Sequence, residues 1–206
     1  MIDYAKPASD EAIMRSRSAL EAHGITALVV DTPELALAKA LALIPNGASV
    51  ASGGSVTLET IGFSGRLAAS GHYDRLRALA QLMERDHVAL SREVRDVLAR
   101  SDYAVGSANA VTEDGSLIFG SMSGSQLGPY VSGAGKVILI VGAQKIVKDV
   151  DAGLRRLREY VLPLERERVR KASGGGDTRL NCILIINGSV VTGRIAVILV
   201  RQVLGY

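Results

Sequence analysis

Apolar and polar positions alternate along the chain with two periods. Ile13, Ser16/Arg17 and Leu20 recur at helical spacing among charges, which predicts an amphipathic helix from Asp10 to His23, with Gly24 as its stop. Ile25-Thr26-Ala27-Leu28-Val29-Val30 then reads as a buried strand. Thr32-Pro33 caps a second helix, Glu34 to Leu43, closed by Pro45-Asn46-Gly47. A second strand, Ala48 to Ala51, runs into Ser52-Gly53-Gly54-Ser55, and a helix starts near Thr57 and runs toward Gly62.

Leu76, Leu79, Leu82/Met83, Val88, Val94 and Val97/Leu98 keep a helical spacing, so residues from Leu76 to Arg100 read as one or two helices. Three strands follow: Asp102 to Gly106, Leu117 to Phe119, and Val137 to Val141. Asp149 to Val161 reads as a helix broken by Pro163, with a shorter helix reaching Lys171. Gly174-Gly175-Gly176 is a short linker. Two last strands, Cys182 to Ile186 and Ile195 to Val200, flank an Asn187-Gly188 turn and are expected to form an antiparallel edge. Strands alternating with helices predict one α/β domain over 1–206, a mainly parallel three-layer sheet with helices on both faces.

Composition narrows the functions. Of 206 residues 48% are hydrophobic, enough for a full core, and 4% are aromatic with no Trp, which argues against base-stacking platforms. The net charge is +3, from 24 basic and 21 acidic residues, with pI near 9.1, too even a balance for a nucleic-acid protein. Cys182 is alone, and His23, His72 and His87 are far apart, so neither a disulfide nor a transition-metal site is expected. With no apolar leader and no spanning run, the chain reads as cytoplasmic, without a membrane partner.

In open α/β sheets, ligands bind beyond the carboxyl ends of strands. Four polar islands follow strands here. In the first, Ser52, Gly53, Gly54, Ser55 and Thr57 fit either a hydroxyl-capped turn or an anion cradle, and Glu59 is a candidate functional carboxylate. The second holds Asn109, Thr112, Glu113 and Asp114. Asp114-Gly115 makes a good turn, which leaves Glu113 as a candidate general base and Asn109 to orient a substrate. Ser123, Gly124, Ser125 and Gln126 form a third, hydroxyl-rich loop. In the fourth, Gln144 and Lys145 follow the most apolar strand, where Lys145 would stabilise charge or act as an acid. The stretch from Leu154 to Lys171 carries seven positive and three negative residues and reads as a solvated helix face.

These islands carry a family resemblance. "IPNGASVASGGSVTLETIG", "GSANAVTEDGSLIFGSMSGSQLGPY", "GKVILIVGAQKIVKDVDAGLRRLREYVLPLE" and "GRIAVILVRQVLGY" resemble the LUD-domain proteins of lactate utilisation, the LutC and YkgG types, from about Ala12 to Tyr206. The resemblance implies a fold like the NagB/RpiA/CoA-transferase superfamily, whose glycine-rich loops hold phosphate, carboxylate or pantetheine. It also implies a link to organic-acid metabolism beside iron–sulfur protein partners, and it is compatible with a homodimer. Two features depart from the family pattern. Related chains carry a cysteine cluster where this one has Ser173 to Cys182 with a single Cys. Many also read Asp-Gly-Thr-Gly-Asn-Arg where Ser121 to Gln126 is neutral.

The leading expectation is a pocket for a small anionic metabolite at the sheet's carboxyl edge. Metal-independent proton transfer or isomerisation on a hydroxy-acid or sugar-like substrate would centre on Glu113, Lys145 and Glu59, with no cofactor identified. Alternatives are a non-catalytic accessory subunit of an iron–sulfur lactate-oxidation complex, a sugar-phosphate isomerase-like or CoA-transferase-like enzyme, and, from pI alone, a nucleic-acid-binding regulator.

Overall fold

The computed structural model describes residues 3–69, 73–74, 100–174 and 176–206. The helical reading of 76–99, and with it His72 and His87, lies outside the described residues.

The main sheet has six strands, all parallel. In spatial order they are β1 (Thr26–Val30), β10 (Ile195–Val200), β7 (Lys136–Gly142), β4 (Tyr103–Gly106), β2 (Ser49–Ser52) and β3 (Tyr73–Asp74). A second, mixed sheet joins β8 (Ile146–Val147), β5 (Ala110–Thr112), β6 (Leu117–Ser121) and β9 (Cys182–Ile186), in that order.

The last two strands do not pair with each other as expected. β9 pairs antiparallel with β6 in the small sheet, whereas β10 lies between β1 and β7 in the main one. The physical reason is legible in β10 itself. All six of its residues, Ile-Ala-Val-Ile-Leu-Val, are buried, as a strand covered on both faces requires.

Side-chain alternation builds three layers. On β7, Val137, Leu139 and Val141 join one core with Ile13 and Leu20 of α1 (Asp10–Ala22) and Leu117 and Phe119 of the small sheet. Ile138 and Ile140 point the other way. They meet Ala36 and Ala40 of α2 (Pro33–Ala42), Leu58 of α3 (Val56–Thr60), and Phe63 and Leu67 of α4 (Phe63–Ala69). Caps start the helices where hydroxyls allow. Ser9 accepts from Ala12 N, Thr32 from Leu35 N, and Ser55 from Leu58 N at 3.4 Å.

The outer face of the small sheet is covered by a long helical stretch. It comprises α5 (Val150–Arg156), a π turn at Leu157–Val161, and α6 (Leu162–Ser173). Pro163 was expected to break this helix. Instead it sits in the first turn of α6, straight after the π turn. A proline supplies no amide hydrogen and crowds the carbonyl four residues earlier. A wide turn at that point accommodates both effects, so the helix continues.

Among the described residues no helix is long and apolar enough to cross a membrane.

Candidate functional site

A cavity of about 360 Å³ opens at the carboxyl edge of the main sheet. Its wall is built from segments that leave successive strands: Gly54–Thr57 after β2, Ser107–Asn109 after β4, Lys145 after β7, and Tyr206 after β10. The small sheet contributes Phe119 to Ser121, and the π turn and α6 close the far side. This is where open α/β sheets place ligands.

Lys145 is the buried charged side chain of the cavity lining among the described residues. It is 2% exposed, and its Nζ lies 2.8 Å from Thr57 Oγ1 and 3.1 Å from Ser107 Oγ. Burial pushes its ammonium down to about 7, and the Arg156 guanidinium pushes in the same direction. Arg156, on the inner face of α5, is itself fully buried. Its Nη1 donates to Asn109 O at 2.5 Å and its guanidinium lies 5.2 Å from the Tyr160 ring centre, while Nε and Nη2 have no hydrogen-bond partner among the described residues. Desolvation pushes Arg156 down to about 10. Among the described residues no carboxylate is within ion-pair distance of either cation.

The segment after β10 is clamped against this region. Gln144 donates from Nε2 to Leu204 O and Gly205 O, at 3.0 and 2.9 Å, and accepts from Leu204 N at 3.2 Å. Gly205 lies so close to α3 that a Cβ there would sit 2.5 Å from Thr57 Oγ1. Tyr206 donates its hydroxyl hydrogen to Glu165, which also takes a two-pronged contact from Arg168 at 2.8 and 2.7 Å. Those contacts hold the Glu165 carboxyl below its usual range, Arg168 first. At the back, buried Tyr130 packs on Phe119 with ring centres 5.1 Å apart, and desolvation pushes its phenol up.

The expected site residues divide into three groups. Gly54, Ser55, Thr57, Asn109, Ser123, Gln126 and Lys145 line the cavity. Gly53, Gly124, Ser125 and Gln144 support its wall without lining it. A Cβ on Gly53 would lie 3.3 Å from Gln126 Cβ, which shows how closely the first and third loops meet. Ser125 bonds Ser123 within its own loop, and Gly124 N donates to Ser121 Oγ at 2.9 Å. Ser52 ends β2, half-buried, two residues short of the lining at Gly54.

Glu113, Thr112, Asp114 and Glu59 are not brought to the cavity. Glu113 faces α1 and accepts from Arg15 Nε at 2.7 Å. Thr112 is fully buried, and its hydroxyl serves the β5–β6 hairpin by accepting from Ser116 N at 2.7 Å and bonding Asp114. Glu59 is exposed on α3. The general-base role expected for Glu113 therefore has no geometry behind it. Its strand-end position in sequence marks the small sheet rather than the main one.

Arg156 is the main residue that the sequence reading passed over, because it was counted in a solvated basic face. Its signal was present: Ala152, Gly153, Leu157, Tyr160 and Val161 surround it at helical spacing, an inward position. Ser107, Ser121 and the Tyr206–Glu165–Arg168 cluster were also missed, and the last has no signal in local sequence.

A family model described as LUD domain matches residues 13–205. No curated protein matches the chain. Among solved structures, a DUF162 family protein from Deinococcus radiodurans is similar in fold, with a TM-score of 0.57 and 17% identity over 97% of this chain and 99% of that one.

Proposed function

The chain belongs to the LUD-domain family, and on that premise we propose that its cavity binds a small anionic metabolite, a carboxylate or a phosphate, and that Lys145 moves a proton on it. One observation carries the reading: the buried Lys145 lines the cavity, and neither it nor the buried Arg156 whose charge acts on it has a carboxylate partner among the described residues. Buried charge is stable only when paired, so such a site is poised for a negative ligand. A lysine titrating near neutrality suits acid–base work. The hydroxyls of Ser55, Thr57, Ser107 and Ser123 supply orienting contacts for a hydroxy-acid or sugar-like substrate.

The link of the family to lactate utilisation makes 2-hydroxy acids the first ligands to test. Thermal unfolding with millimolar hydroxy acids, sugar phosphates or inorganic phosphate should raise Tm in a concentration-dependent way, because a ligand that binds only the folded state stabilises it. The Lys145→Gln variant should lose most of that response. Equal responses from wild type and variant would refute the assignment.

A further inference from the structure

We propose that Lys145 is a nucleophile that captures the carbonyl carbon of a small anionic carbonyl compound as a Schiff base. The proposal rests on the anion site above and deepens it by naming the substrate class.

The argument starts from hydrogen-bond direction. Thr57 Oγ1 donates its own hydrogen to Leu204 O at 3.4 Å, and Ser107 Oγ donates to Ala108 O at 3.2 Å. Both hydroxyl oxygens therefore act as acceptors toward Lys145 Nζ. A neutral amine has two hydrogens, and these two contacts use both. The lone pair must then occupy the remaining tetrahedral position, away from Thr57 and Ser107. Lys145 lines the cavity, and no protein partner stands at that third position among the described residues. The nucleophilic direction is thus left to whatever fills the cavity.

The surroundings favour this chemistry twice over. An amine reacts only when unprotonated, and both desolvation and a neighbouring cation favour that form. The positive charge of Arg156, which acts on Lys145, also remains after the amine has become an imine. The step balances without an oxidant or reductant. The nitrogen lone pair forms the C–N bond, the C–O bond breaks, and the two amine hydrogens leave with the carbonyl oxygen as water. Thr57 and Ser107, already bonded to those hydrogens, are placed to pass them on.

Reductive trapping tests this on the full chain. The protein is incubated separately with pyruvate, glyoxylate and dihydroxyacetone phosphate in the presence of cyanoborohydride, then mapped by peptide mass spectrometry. The expected result is one adduct, on Lys145, exceeding those on Lys136 and Lys148 on the order of a hundredfold at neutral pH, since an ordinary lysine there is almost wholly protonated. The carboxylate and phosphate arms show which anionic group is accepted. Arg156→Met should move the pH dependence of trapping upward, because a charge opposing the ammonium is gone. Stabilisation by these anions without a Lys145 adduct would overturn the Schiff base and leave the anion site standing. Adducts spread evenly over the lysines would also overturn it, and the absence of both stabilisation and adduct would overturn the two readings together.

Discussion

Replacing Lys145 with Met tests how strongly the fold opposes a charge at this position. The unfolded amine titrates at its ordinary 10.5, and the folded one near 7. Between those values the unfolded chain holds a proton that the folded chain lacks, so stability rises with pH across this window. Below about 7 the penalty is complete. A difference of about 3.5 pKa units corresponds to ~5 kcal/mol at 1.36 kcal/mol per unit, and ~1 kcal/mol of it survives at about pH 10. Methionine removes the titration but also the contacts to Thr57 and Ser107. Each such hydrogen bond contributes ~1 kcal/mol net, and both hydroxyls keep a second partner.

The two effects predict curves that cross. The Met variant should be more stable than wild type by ~3 kcal/mol near pH 6.5 and less stable by ~1 kcal/mol near pH 10. Urea unfolding followed by circular dichroism, repeated across that range, measures both. Parallel curves, with a constant difference at every pH, would refute the claim that Lys145 is held toward its neutral form.

Two further predictions concern the frame around the site. Gly106→Ala would place a Cβ 1.9 Å from the hydroxyl of buried Tyr130, so it should lower stability by ~3 kcal/mol or more, whereas Gly54→Ala, with open space around it, should change unfolding little. Glu113→Gln removes only the contact with Arg15 on the α1 side, and should leave ligand-induced Tm shifts unchanged; loss of those shifts would return Glu113 to the site.

How much of this was legible in sequence varied with the range of the interactions. The three-layer parallel sheet followed from local signals: continuous apolar runs at β1, β7 and β10, and hydroxyl caps at Thr32 and Ser55. Lys145, Thr57 and Asn109 line the cavity because they follow strands, and main-sheet strands all deliver their carboxyl ends to one edge. The same rule misled at Glu113. It follows β5, a strand of the small sheet, and periodicity does not tell which sheet a short strand joins. The C-terminal clamp was invisible for a related reason. Gln144 and Leu204 are 60 residues apart, and only the placement of β10 beside β7 brings them together.

Arg156 shows a different kind of limit. Composition places it in a basic face, and a guanidinium is ordinarily solvated. Helical spacing places it inward, beside Ala152 and Leu157. The two signals conflict, and in such conflicts burial of the apolar neighbours decides, because one arginine does not rotate a helix that buries Leu157 and Val161. The guanidinium is carried inside, with two of its nitrogens unpaired among the described residues. A buried, under-satisfied cation lowers stability, and natural folds tolerate such groups mainly at functional sites. The conflict between composition and periodicity at Arg156 therefore marked a buried charge that acts on Lys145. A basic residue at an inward helical position, opposite a strand-end lysine, is the pattern to look for in other LUD-domain chains.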